Sequence, residues 1–198
     1  MTNRTFRSIL FLMTTLTFYC LPSSMWADPA SPSTKPAIPK VGDKAVDFSL
    51  NGLDGKSSTL TELTNHGPIV LIVLRGWPGY QCPLCTRQVG DFVAHAKDLE
   101  AAGATVVMVY PGPADQLKTH AEEFFKDMSL SDHFRVLVDP DFKFTEAYGL
   151  RWHAPRETAY PSTFVIDSHN VVRFAKVSKT HGDRASAADA ITALSAAK

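Results

Sequence analysis

Three cysteines among 198 residues cannot build a disulfide framework, so a small stapled extracellular module is excluded. A charge surplus is also missing. Twenty Lys and Arg face twenty Asp and Glu, and no run of like charge occurs. A nucleic-acid binder normally carries a basic patch or stripe, so neither DNA nor RNA is expected as a partner. No internal repeat is visible, and no apolar run reaches the ~20 residues of a membrane span. What is present is 44% hydrophobic residues, enough in a chain of this length to bury one core.

The amino end is unlike the rest. Arg4 and Arg7 precede the apolar run Ile9 to Met13, which continues through Leu16 and Phe18 to Leu21, and Ser23-Ser24-Met25-Trp26-Ala27 follows. A positive start, a short apolar middle and small residues before a cut describe a secretory signal peptide over 1–27. An uncleaved amino-terminal anchor is the alternative, and only then is a membrane expected as a partner. Lipidation at Cys20 is disfavoured by the bulky Phe18-Tyr19 before it. Export implies a periplasmic or secreted protein. Cleavage after Ala27 removes two arginines, leaving 18 basic against 20 acidic residues. It also removes Cys20, so Cys82 and Cys85 remain as one local pair. Residues 28–40 carry four prolines and little to bury, as in an extended spacer.

From Val41 the pattern becomes globular, and 41–198 is expected to be one domain. Val46 to Leu50 and Ser57 to Leu60 flank Asn51-Gly52 and Asp54-Gly55, a hairpin pattern. Ile69 to Leu74 is a continuous aliphatic run, as in a central strand covered on both faces. Val89, Phe92, Val93, Ala96 and Leu99 recur at helical spacing after Pro83, and Gly103 stops that helix. Thr105 to Tyr110 reads as a strand, Ala114 to Asp127 as a helix, Phe134 to Val138 as a strand and Phe142 to Tyr148 as a short helix. Two strands, Ser162 to Asp167 and Val171 to Val177, precede a final Ala-rich helix. Alternating strands and helices predict an α/β fold with a mixed central sheet flanked by helices.

The chemistry concentrates in Cys82-Pro83-Leu84-Cys85, between a buried strand and a helix. Unpaired N–H groups and the positive end of a helix favour thiolate over thiol, and the thiolate is the nucleophile. Pro83 suits the first helical position, which needs no backbone donor. Two intervening residues let the sulfurs close a small disulfide ring. Half of a zinc site is an alternative, but structural zinc normally takes four ligands, and the seven histidines stand at no close spacing to one another. An inert local disulfide is a second alternative. No cofactor or metal is expected.

The element order ββαβαβαββα, with CxxC opening the first helix, resembles the thioredoxin superfamily, with an added amino-terminal hairpin. That resemblance implies a cis-proline at Pro161, in Tyr160-Pro161-Ser162-Thr163-Phe164, packed against the CxxC. The run Pro78 to Gln88 resembles the peroxiredoxin (alkyl hydroperoxide reductase/thiol-specific antioxidant) family, which carries Pro-x-x-x-Thr/Ser-x-x-Cys. Pro78 matches the proline, Cys85 the peroxide-attacking cysteine, and Gln88 the Glu or Gln often found three residues later. Cys82 stands where the family has Thr or Ser, as in a branch reading Arg-Gly…Cys-Pro-x-Cys. Pro161 occupies a position where peroxiredoxins usually have the Arg that holds thiolate and peroxide. Arg75, Arg87, Arg151 and Arg156 are the candidate replacements. Phe134 to Asp141 and Ala147 to Leu150 resemble the family's strand and Tyr-Gly turn.

These residues leave three functions open. A hydroperoxide oxidises Cys85, and Cys82 resolves it to a disulfide. Or Cys82 attacks protein disulfides and Cys85 resolves. Or the pair binds Cu(I), which soft thiolates suit, although copper carriers of this fold space their cysteines by three residues. The first two need an external thiol donor. Both require the sulfurs at the amino end of one helix and beside Pro161, not sealed within the core.

Overall fold

The computed structural model describes residues 36–197 together with Met1. The expected signal segment, Cys20 and most of the spacer lie outside the described residues. The described residues from Pro36 onward group as one compact unit. At the end of the expected spacer, Ile38 is half-buried and Pro39 buried, so this stretch packs onto the body. Among the described residues no helix is long and apolar enough to cross a membrane.

The chain order is β1 (Ser49–Gly52), β2 (Ser57–Thr59), α1 (Leu60–Thr64), β3 (Ile69–Val73), α2 (Pro83–Ala94), α3 (Ala96–Ala101), β4 (Thr105–Gly112), α4 (Leu117–Phe125), β5 (Phe134–Pro140), α5 (Lys143–Ala147), β6 (Ser162–Ile166), β7 (Val172–Val177) and α6 (Ala187–Ala196). One seven-stranded sheet runs β2-β1-β5-β4-β3-β6-β7. β3, β4 and β5 are parallel, whereas β6, β7 and the amino-terminal hairpin pair antiparallel. This is the mixed α/β sheet that the strand–helix order predicts.

The aliphatic run of β3 is buried at every residue, because helices cover both faces. Strand side chains alternate between faces. Val70, Ile72 and Leu74 therefore join Val106, Met108 and Tyr110 in a core with residues of α2, α4 and α6. Ile69, Leu71 and Val73 join Val107 and Val109 in the opposite core, with residues of α1 and α5.

Several elements differ from their expected spans. α1 is additional, and a capping box starts it: Thr59 accepts from the Glu62 N–H while the Glu62 carboxylate accepts from the Thr59 N–H. The helix expected to run to Leu99 breaks at His95 (φ −101°, ψ 18°), leaving α2 and α3. α4 begins only at Leu117, because Gln116 is left-handed (φ 55°). β4 runs past its expected end and pairs Pro111 with Asp139. Asp139 then caps α5, accepting from the N–H groups of Phe144 and Thr145 at 2.8 and 2.9 Å.

The cis-proline expectation is corrected. Among the described residues no peptide bond is cis, so Tyr160–Pro161 is trans, the form favoured for X–Pro bonds by ~0.5–1 kcal/mol. Pro161 remains buried at the start of β6, and its carbonyl accepts from the Ser178 N–H at 2.8 Å.

Candidate functional site

The site lies at the carboxyl ends of parallel β3 and β4, the edge where open α/β sheets place their ligands. After Leu74 the chain must cross the end of β4 before α2 can start. Gly76 makes that crossing at φ 70°, and a Cβ there would stand 1.9 Å from the Pro111 carbonyl oxygen. The Trp77 N–H donates to the same oxygen at 2.9 Å. Beyond Gly76, Trp77 stacks on His120 with centroids 3.7 Å apart. Gln81 accepts from the Tyr110 hydroxyl at 2.7 Å and donates to the His120 carbonyl at 2.9 Å. The loop carrying the partly buried Pro78 is thus tied to β4 and α4.

Cys82 is the N-cap of α2 and Pro83 its first residue. The Cys85 N–H, a donor of the first helical turn, is shared between the Cys82 carbonyl at 3.0 Å and Cys82 Sγ at 3.4 Å. Both sulfurs are free thiols. They are buried, Cys82 to 3% exposure and Cys85 to 1%, and both belong to the core with residues of α2 and α4, which departs from the expectation that the pair would not be sealed within the core. Close to Cys82 in the chain, Gly79, Tyr80 and Pro83 are exposed. Cys82 is the less deeply buried of the two sulfurs.

The two thiols are driven apart in acidity. Cys82 is pulled down to about 5: the Cys85 thiol hydrogen-bonds to it, and the Cys85 N–H and the Arg184 charge add to this against the effect of burial. Burial, and the loss of that hydrogen bond on ionisation, push Cys85 well above an ordinary thiol. The pair thus holds one negative charge on the outer sulfur and one proton on the inner.

Arg184, in the segment between β7 and α6, supplies the positive charge. Its Nη2 is 3.8 Å from Cys82 Sγ, and its Nη1 donates to Gln88 Oε1 at 2.8 Å. Gln88 is buried, and its Nε2 reaches the Ala185 carbonyl at 3.3 Å and Thr163 Oγ1 at 3.4 Å. Gln88 therefore joins α2, the start of β6 and the Arg184 segment. Thr163 is two residues beyond Pro161, and Ser162 pairs with Val73 at the exit of β3, so Pro161 opens the strand beside the loop that leads to Cys82.

The four arginines considered from sequence have other engagements. Arg75 is buried, with its Nε 2.9 Å from Glu157 Oε2, and it also donates to the Tyr80 hydroxyl and the Arg156 carbonyl. Arg151 Nη1 donates to the carbonyls of Trp152 and Glu157, each at 3.0 Å. Arg87 and Arg156 are exposed. Nothing in the sequence pairs Arg184 with a cysteine 102 positions earlier. Trp152 stacks on Tyr160, and His153 is exposed beside Glu146.

Residues 41–175 match the AhpC/TSA family. A putative peroxiredoxin bcp of Helicobacter pylori is 32% identical over 138 residues, covering 67% of this chain and 84% of that one. The thiol-disulfide oxidoreductase ResA of Halalkalibacterium halodurans is 26% identical over 165 residues, covering 83% and 80%. The crystal structure of peroxidoxin BcpB from Mycobacterium tuberculosis is 26% identical with a TM-score of 0.63, covering 81% of this chain and 99% of that one. The fold is therefore the thioredoxin-like one of the peroxiredoxins. With two thiols at the amino end of α2 and these relatives on both sides of thiol redox chemistry, the chain belongs to the AhpC/TSA family and is a thiol oxidoreductase.

Proposed function

We propose that the protein reduces hydroperoxides with the Cys82/Cys85 dithiol, and that Cys82 is the attacking sulfur. The observation that carries this order is the pair of contacts on Cys82 Sγ, from the Cys85 N–H at 3.4 Å and Arg184 Nη2 at 3.8 Å. The family motif matches Cys85 to the attacking position. A buried, protonated thiol is a poor nucleophile, however, and reactivity follows the thiolate.

In the first step a Cys82 sulfur lone pair attacks the outer peroxide oxygen. The O–O bond breaks, Cys82 becomes a sulfenic acid, and the alkoxide or hydroxide leaves with a proton from solvent. Arg184 lies where it can offset charge during that displacement. In the second step Cys85 sulfur attacks Cys82 sulfur, its proton leaves with the sulfenic hydroxyl as water, and the disulfide closes. An external dithiol returns both sulfurs to the reduced state by exchange.

A second reading, disulfide exchange with other proteins, draws support from two observations. Pro161 stands where peroxiredoxins usually carry Arg, and the outer sulfur of the CxxC holds the charge. Single-cysteine variants divide the readings. Reduced Cys85→Ser mixed with hydrogen peroxide and a sulfenic-acid reagent is expected to be labelled at Cys82. Labelling confined to Cys82→Ser contradicts the proposed order. No peroxide consumption, with protein disulfides still reduced, favours exchange.

Export is part of the same proposal, supported by Arg4, Arg7, the apolar run to Leu21 and Ala27. Amino-terminal sequencing of the full chain expressed in a Gram-negative host should read from Asp28. A retained Met1 contradicts cleavage.

A further inference from the structure

Glu157 has no part in these steps, yet it is the most heavily engaged carboxylate near them. Its side chain is 11% exposed and receives Arg75 Nε at 2.9 Å. His181 Nε2 stands 3.0 Å from one of its oxygens and 3.1 Å from the other. The His181 ring lies 5.1 Å from that of Trp152, which stacks on Tyr160. One carboxylate therefore joins the buried arginine after β3 to the tip of the segment between β7 and α6.

That segment carries Arg184, and its tie to His181 is direct: Arg184 Nε donates to the His181 carbonyl at 2.8 Å. Other tethers hold the same segment, and Gln88 is among them, accepting from Arg184 Nη1 at 2.8 Å and donating to the Ala185 carbonyl at 3.3 Å. The Ser178 N–H donates to the Pro161 carbonyl, the Ser178 hydroxyl to the Asp183 carbonyl, and Lys176 pairs with Asp183 at 2.6 Å. Gly182, between His181 and Asp183, has open space where a side chain would stand, and its carbonyl accepts from the Arg184 N–H at 3.1 Å. The segment is short and must hold a guanidinium within reach of one sulfur.

We propose that Glu157 and His181 form a latch that fixes the segment between β7 and α6 and thereby keeps Arg184 on Cys82, making both positioning residues of the redox site. This rests on the reading of Cys82 as the attacking thiolate. The latch acts through geometry, because neither side chain touches a sulfur.

His181→Phe keeps an aromatic ring against Trp152, removes the bond to Glu157 and leaves the Arg75–Glu157 pair intact. In the reduced full chain, ultraviolet thiolate absorbance should show the Cys82 midpoint raised by about one pH unit, the size expected when a neighbouring opposite charge is lost. Arg184→Met should give the same rise, and the double variant no more than either alone, since coupled sites are not additive. His181→Gln, which retains an N–H donor, should recover part of the shift. Hydrogen exchange at residues 179–184 reads the latch without reference to sulfur ionisation and should quicken about tenfold in His181→Phe.

Unchanged exchange overturns the latch. So does an additive double variant, or a lower melting temperature with no change in the Cys82 midpoint. A wild-type Cys82 that titrates as an ordinary thiol overturns the reading of the nucleophile instead, while exchange still decides the latch.

Discussion

Arg184 Nη2 lies 3.8 Å from Cys82 Sγ across 102 positions of sequence. Gln88 holds the same guanidinium through its side-chain oxygen, so the charge is aimed at the outer sulfur of the pair and bound to the helix that carries it. The separation of Cys82 and Cys85 into thiolate and thiol follows first from the Cys85 thiol's hydrogen bond to Cys82 and from the deeper burial of Cys85, and then from the Cys85 N–H and this contact.

Replacing Arg184 with Met should slow oxidation of Cys82 by hydrogen peroxide roughly ten- to a hundredfold, by analogy with removal of one donor at a site of developing charge. Arg184→Lys should keep part of the rate, because it retains charge without the fork that also reaches Gln88. Stopped-flow measurement of the bimolecular rate constant checks both. A Met variant as fast as the parent contradicts a role for this charge.

The pH dependence has a definite sign. The folded value of Cys82 is depressed to about 5, so the thiolate is present above that pH and lost as pH falls through it. The peroxide rate should rise through a midpoint near 5 and be flat at neutrality, whereas a free thiol would still be rising near ~8.5. Stability carries the same signature. Between about 5 and the unfolded thiol value the unfolded chain binds more protons at this site, so reduced protein gains stability with rising pH. Cys85 acts oppositely, and only above the unfolded value. The melting temperature of the reduced parent relative to Cys82→Ser should therefore climb from pH 5 to 8. A flat difference contradicts the depressed value.

Much of this architecture was legible in the sequence. The unbroken run Ile69 to Leu74 marked a strand covered on both faces, and Cys82-Pro83 marked a helix start, because each signal is local. The same holds for α1, whose Thr59-x-x-Glu62 capping box is a sequence signal that the strand pattern before it obscured. The shortened start of α4 was not legible, since it turns on one left-handed residue, Gln116, that composition does not flag. The charge partner was hidden for a different reason. Arg184 reaches Cys82 only because β6, β7 and the segment after them fold back beside α2, a consequence of topology. Reasoning from nearby or motif-like positions led to Arg75, Arg87, Arg151 and Arg156.

Gly76→Ala tests how tightly the site is joined to the sheet. The residue combines φ 70° with a Cβ position 1.9 Å from the Pro111 oxygen, and that oxygen also binds the Trp77 N–H. A methyl group there must move either the end of β4 or the loop that leads to Cys82. The expected loss is about 2–4 kcal/mol in denaturant unfolding, from backbone strain together with overpacking. Gly79→Ala offers a contrast: its φ is 105°, but nothing lies within 4 Å of the added carbon, so only the strain term of about 1–3 kcal/mol applies. Equal losses in the two variants contradict the close approach at Gly76.

The most direct test is thiolate titration of the reduced single-cysteine variants. In Cys85→Ser, the remaining Cys82 should ionise below the ~8.5 of a free thiol, because the Ser hydroxyl takes over the hydrogen bond of the Cys85 thiol while the helix-end N–H and Arg184 remain. In Cys82→Ser, the remaining Cys85 should stay protonated until well above that value. Ionisation in the reverse order would place the nucleophile on the inner sulfur and contradict the account.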